Sequence, residues 1–185
     1  MPLSTLDPTP ALVVIDLQKA VTALEAAHPV AEVVGHAAEL AAAFRFSRLP
    51  VVLVNATGRA PGRTQVQRAP ATPAPDWADL VEELDEQPDD VRISKQTWGA
   101  FHRTDLDAQL RARGVTQVVI AGIATSMGVE STARAAYEHG YHVVLATDAM
   151  TDSTAEAHGH SVEWVFPLLG ETATSEEIVL ALEAR

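Results

Sequence analysis

Gln117-Val-Val-Ile-Ala-Gly-Ile-Ala-Thr-Ser-Met-Gly-Val-Glu-Ser-Thr-Ala-Arg134 decides the fold. After Gln117, Val118–Ala121 is a short, continuously apolar, mostly β-branched run, the pattern of a strand buried on both faces. A glycine-containing turn follows, and then a helical pattern from about Ser126 to His139, closed by Gly140. Strand, tight turn and helix in that order make one unit of a parallel α/β sheet. Outward from it the same alternation repeats. Ala11-Leu-Val-Val-Ile-Asp16 reads as the first strand, Val51–Asn55 as the second, Val91–Lys95 as the third and His142–Thr147 as the fifth. Pro29 opens a helix reaching about Arg48, and Asp105–Arg113 forms a shorter one closed by Gly114. Ser153-Thr-Ala-Glu156 has capping-box spacing and opens a helix that Pro167 ends or kinks near Phe166. Thr174-Ser-Glu-Glu177 repeats that spacing before a last helix, with a short edge strand near Glu171–Ala173. Residues 56–75 are rich in Gly, Pro and Arg without periodicity, and read as a long covering loop.

Composition narrows the function. At 185 residues the chain reads as a single domain, 1–185, with a sizeable core. Its formal charge of −12 argues against nucleic acid, because phosphate backbones are held by clustered Lys and Arg. A small anion is still within reach of two or three local cations. There is no cysteine, which excludes disulfides, thiolate metal sites and thiol catalysis. No basic leader or long apolar run is evident, so no membrane contact is expected and the chain reads as cytoplasmic.

In open α/β sheets ligands bind beyond the carboxyl ends of the strands. Those ends here are Asp16, Asn55, Lys95, the Gly122–Gly128 turn and Asp148: a carboxylate, an amide, an ammonium and a helix start on one rim. Asp16 follows an unbroken apolar run; it is either a functional carboxylate or the cap of a neighbouring turn. Ser126 reads as the helix cap. Trp98 and Phe101, just past Lys95, form either an apolar wall for a flat ligand or lid and interface packing. Arg59 and Arg63 either lean over the site or face solvent.

Leu12-Val-Val-Ile-Asp16-Leu-Gln18, Ser94-Lys95-Gln-Thr-Trp-Gly-Ala-Phe101, the stretch Ala121–Arg134 and Tyr141-His-Val-Val-Leu-Ala-Thr-Asp-Ala149 resemble, in order, the signature blocks of the isochorismatase-like hydrolase superfamily. The resemblance implies a three-layer Rossmann-like fold on a six-stranded parallel sheet of order 3-2-1-4-5-6, assembled as a homodimer or larger. It implies a site in which Asp16 and Lys95 are two members of a triad and Gly128 stands where cysteine members keep their nucleophile. It also implies a cis peptide between Ile123 and Ala124, with the Ala124 and Gly128 N–H groups forming an oxyanion hole. Gln18, Asn55, Trp98, Phe101, Ile123 and Ala124 complete the expected substrate contacts. Metal-binding relatives carry a D-x-H pair after the second strand; the sequence from Asn55 to Gln65 has neither acid nor histidine, so no metal and no cofactor is expected. The histidines are scattered: His158 and His160 read as helix-face residues and His28 as a helix entry.

Glycine at 128 offers only an N–H and empty volume, which rules out an acyl-enzyme. Isochorismatases proper resemble this chain in that glycine. Their vinyl-ether hydrolysis needs a general acid rather than a nucleophile. The segment Ile-Ala-Thr-Ser-Met before Gly128 is nearer to that of the cysteine amidases, which sets isochorismate itself apart. Three readings follow: a cysteine-independent hydrolase of a small carboxylate-bearing molecule, an inactive small-molecule binder, or a structural protein with a closed crevice.

Overall fold

The structure, a computed structural model, describes residues 3–66 and 73–185. Residues 67–72 of the expected loop lie outside the described residues. Six parallel strands form one sheet in the order β3-β2-β1-β4-β5-β6. They are β1 (Pro10–Ile15), β2 (Val51–Ala56), β3 (Val91–Lys95), β4 (Gln117–Ile123), β5 (His142–Thr151) and β6 (Glu171–Ala173). The helices are α1 (Lys19–Thr22), α2 (Val30–Phe46), α3 (Leu106–Ala112), α4 (Glu130–Glu138), α5 (Ala155–His160), α6 (Phe166–Leu169) and α7 (Ser175–Glu183).

The unbroken apolar runs arise because both sheet faces are covered. Side chains alternate across a strand, so Leu12 and Val14 of β1 join a core with α2 and α7, through Ala37, Leu40, Phe44, Ile178 and Leu182. Ala11, Val13 and Ile15 point the other way, into a core shared with Leu106 and Leu110 of α3, Ala133 and Ala136 of α4, and Phe166 of α6. This sandwich fixes where β1 and β4 end, and hence where the rim lies.

Among the boundaries that differ from the sequence reading, three lie in the C-terminal third. β5 continues past Thr147 to Thr151, because a register irregularity opposite Ile120 and Gly122 lets it follow β4 to its end. The next helix is capped by Thr154, whose hydroxyl accepts the Ala157 N–H, one residue later than the Ser153 spacing suggested. Pro167 does not end that helix. A π-helical turn over Ser161–Val165 intervenes, and Pro167 sits in the first turn of α6, where its missing N–H costs nothing. At Thr174 the expected capping box is present in full. Its hydroxyl accepts the Glu177 N–H at 3.2 Å, and the Glu177 carboxylate accepts the Thr174 N–H at 2.8 Å.

Neither α1 nor the segment that packs on it has a counterpart in the sequence reading. Residues 77–81 fold back over the end of β1: Lys19 N–H donates to Asp79 O, Ala20 N–H to Trp77 O and Val81 N–H to Leu17 O. Gln18 and Leu80 form an antiparallel bridge.

Candidate active site

β1 runs straight into Asp16, which turns into the left-handed region at φ 52° while its N–H still donates to Val54 O of β2. Among non-glycine residues such a φ is uncommon, and Asp tolerates it better than most. Lys95, the last residue of β3, lies two strands away, roughly 10 Å at ordinary strand spacing. Only a long side chain bridges that gap. Its ammonium donates to Asp16 Oδ2 at 2.6 Å and to Thr97 O at 3.2 Å. Lys95 is 2% exposed and Asp16 8%.

The other carboxylate oxygen, Asp16 Oδ1, is buried with no hydrogen-bond partner, the one such side-chain atom among the described residues. Buried polar groups are otherwise almost always paired. Burial raises the Asp16 pKa above the usual carboxylate value, and the opposing pull of Lys95 does not cancel it.

Gly128 forms the opposite wall, and the volume beside it is not empty. A Cβ placed there would meet Ile15 Cγ2 at 2.9 Å, Asp16 Oδ2 at 3.2 Å and the Trp98 carbonyl oxygen at 3.6 Å. β1 and the turn close over the position, so the glycine is part of how the carboxylate is seated. Gly122 is required for a related reason: at φ 119° its missing Cβ would lie 2.0 Å from Ile15 O. The Ile123–Ala124 peptide is cis.

The turn beyond it is π-helical over Thr125–Val129, and Ala124 O accepts the N–H groups of Met127 and Val129 at 3.1 and 3.2 Å. Ser126 does not cap this helix. Its N–H donates to Asp152 Oδ2 at 2.6 Å instead. Asp152 escaped the sequence reading, and its neighbour His158, expected only as a helix-face residue, pairs instead with buried Thr125. The available signal was that Asp152 terminates the extended β5 as Asp16 terminates β1.

The remaining expected residues divide. Gln18 is fully buried and engaged, its Oε1 accepting Ala56 N–H at 2.7 Å and its amide donating to Ala56 O and Trp77 O. Asn55 donates to Ala78 O at 2.7 Å and accepts from Ser94 Oγ at 2.8 Å. These amides build the rim by tying β2 and residues 77–78 to β1. Trp98 is 61% exposed, with its carbonyl beside Gly128. Phe101 is not brought to the carboxylate: it stacks on His139 at 5.0 Å and packs with Tyr141. Ile123 is buried against the α2 side of the core. Asp148 serves α7, accepting the Ser175 N–H and hydroxyl at 2.7 Å each, with His36 against it. Arg59 and Arg63 lie exposed on the loop leaving β2. Among the described residues no three His, Asp or Glu side chains gather closely enough to hold a metal ion.

The family profile of the isochorismatase domain matches residues 10–177, from the start of β1 into α7. The chain belongs to the isochorismatase family. It is 40% identical over 181 residues to the isochorismatase family protein YecD of Escherichia coli O157:H7, covering 94% of this chain and 96% of that one. An isochorismatase family protein from Burkholderia thailandensis superimposes with a TM-score of 0.92 at 43% identity, over 97% of this chain and 98% of that one. A cysteine hydrolase from Pseudomonas syringae superimposes at 0.82 with 26% identity, over 99% and 97%. What this isochorismatase-family site offers chemically is a buried acid, a buried ammonium that fixes one of its oxygens, and a turn with backbone donors. No thiol is among them.

Proposed function

We propose that this chain is an isochorismatase-family hydrolase that works without a nucleophilic side chain, Asp16 serving as general acid and then base. The observation that carries the reading is the unpartnered Oδ1 of Asp16, buried while the Lys95 ammonium holds Oδ2. Lys95 occupies Oδ2, so a catalytic proton belongs on Oδ1. The raised pKa favours holding it there.

Vinyl-ether hydrolysis uses these groups economically. Oδ1–H gives its proton to the enol carbon, and the ether oxygen stabilises the resulting cation. The Asp16 carboxylate then removes a proton from the water that attacks the cationic carbon. A hemiketal forms; as it collapses, Oδ1–H protonates the departing ether oxygen while the hemiketal hydroxyl returns its proton to the carboxylate, so that the C–O bond breaks to a carbonyl and an alcohol and Asp16 ends protonated as it began. Lys95 holds the carboxylate in place, and the Ala124 and Gly128 N–H groups hydrogen-bond the departing oxygen, where negative charge gathers as the C–O bond breaks. Trp98 supplies an apolar wall, and Arg59 and Arg63 supply cations for a substrate carboxylate.

The test is a panel of small vinyl ethers and amides bearing carboxylates, followed by proton NMR. Turnover of a member should fall by ~10²–10⁴-fold in Asp16→Asn, the range for one positioned acid. Iodoacetamide should leave it unchanged. A panel member bound by the wild type with no turnover would favour an inert binder instead.

A further inference from the structure

The turn carrying Ala124 and Gly128 is gripped from behind by the segment that joins β5 to α5. Asp152 is 1% exposed. One of its oxygens accepts the Ser126 N–H at 2.6 Å; the other accepts the Ser153 N–H at 2.7 Å and the Ser153 hydroxyl at 3.2 Å. Bonds to a carboxylate are roughly twice as strong as neutral ones, and this one falls where a helix start leaves donors without intrahelical partners.

One residue earlier, the hydroxyl of fully buried Thr125 pairs with His158 Nδ1 at 2.9 Å. The His158 ring meets His28 edge-on at 4.7 Å, and His28 pairs with Thr151 Oγ1 through both its ring Nδ1 and its N–H. Ala27 N–H closes the assembly on Asp152 O at 2.8 Å. Two consecutive residues of the turn are thus held on one side, while Gly128 lies against Asp16 on the other. The proposed reaction uses none of these four side chains, Asp152, Thr125, His158 and His28.

We propose that Asp152, and His158 acting through Thr125, are positioning residues that fix the orientation of the Ala124 and Gly128 N–H groups. The inference rests on reading that turn as the charge-stabilising wall of the site. Donors held before reaction need no reorganisation when charge develops. A turn whose 125 and 126 positions are both anchored cannot swing its 124 and 128 amides independently.

Amide NMR of the full chain tests this without a known substrate. Asp152→Asn should shift the Ser126 amide proton upfield and speed its exchange roughly tenfold, as loss of a charge-assisted bond implies. It should also displace the Ala124 and Gly128 amide resonances. Thr125→Val should displace the same two, Thr125→Ser should return them towards wild type, and Asp148→Asn, at the start of α7, should leave them in place. Should Asp152→Asn fail to fold, the Thr125 pair decides alone. Displacements confined to Ser126 and Ser153, or to residues beside Thr125, would overturn the proposal. Loss of hydrolysis in Asp16→Asn with these amides unmoved concerns the reaction and not the brace, so the two readings fail separately.

Discussion

At the scale of single residues, the buried pair of Asp16 and Lys95 carries a cost that its partners share. Breaking a buried pair by removing one member usually costs ~3–5 kcal/mol, whereas replacing both with apolar or neutral groups is far milder. Lys95→Met should lower stability in urea denaturation, and adding Asp16→Asn, which removes the uncompensated carboxylate, should recover most of the loss. The pH dependence has a definite sign. Asp16 has a folded pKa raised above its unfolded value, so its contribution to stability is complete below about 3.8 and is lost as pH rises through the folded value. Activity that needs the protonated acid should decline over that same upper range. Lys95→Met removes the group that pulls the pKa down, so the declining limb of kcat/KM should move to higher pH in any active variant. Gly128 makes a second demand. Gly128→Ala places a methyl 2.9 Å from Ile15 Cγ2 and should destabilise by ~1–3 kcal/mol through overpacking. Ile15→Ala should relieve part of it, so that the double-variant cycle shows coupling. Asp16, Lys95 and Gly128 were legible in the sequence because each closes a strand or opens a helix at a recognisable block. That Gly128 is hemmed in was not, since the contact comes from Ile15, more than a hundred positions earlier.

At the scale of elements, the short-range signals read well and the long-range ones did not. The strands and the Thr174 capping box follow from apolar runs and hydroxyl–acid spacing within a few residues. The length of β5, the π-helical turns and the true cap at Thr154 depend on how β5 registers against β4 and how α5 packs on the turn. The engagement of Gln18 and Asn55 was likewise hidden, because their partners at Trp77 and Ala78 belong to a segment with no periodic signature. The capping box itself is testable: Thr174→Ala should cost ~0.5–2 kcal/mol in denaturation while leaving activity intact. Around α5, burial and the neighbouring His28 hold the His158 pKa below the ordinary histidine value, against the pull of Asp152. The stability this confers is present above about 6.5 and is lost as pH falls through the lower folded value. The acid limb of thermal stability should therefore flatten in His158→Gln.

At the scale of the molecule, a formal charge of −12 sets the background. The largely exposed pairs Lys19–Asp76, Arg92–Glu86 and Arg111–Asp107 contribute little each. Screening the net repulsion should outweigh weakening them. Raising ionic strength from about 0.02 M to about 0.3 M should then raise Tm by a few degrees, read by calorimetry. No helix of the described residues is long and apolar enough to cross a membrane. The side chain of Gln18 has a further consequence, for what the chain tolerates in length. Its amide holds Ala56 at one mouth of the 57–76 stretch and Trp77 at the other. Both ends of that excursion are thereby knotted to one buried residue just past β1, and the chain between them can lengthen without the rim registering it. Doubling a closed loop costs only ~0.6 kcal/mol, so a Gly/Ser insertion after Gly62 should leave stability nearly unchanged. The same insertion in Gln18→Ala, where the two mouths are no longer stapled together, should loosen the rim around Asp16 as well. New specificity could therefore be grafted here by adding residues, while the buried acid and its lysine stay where they are.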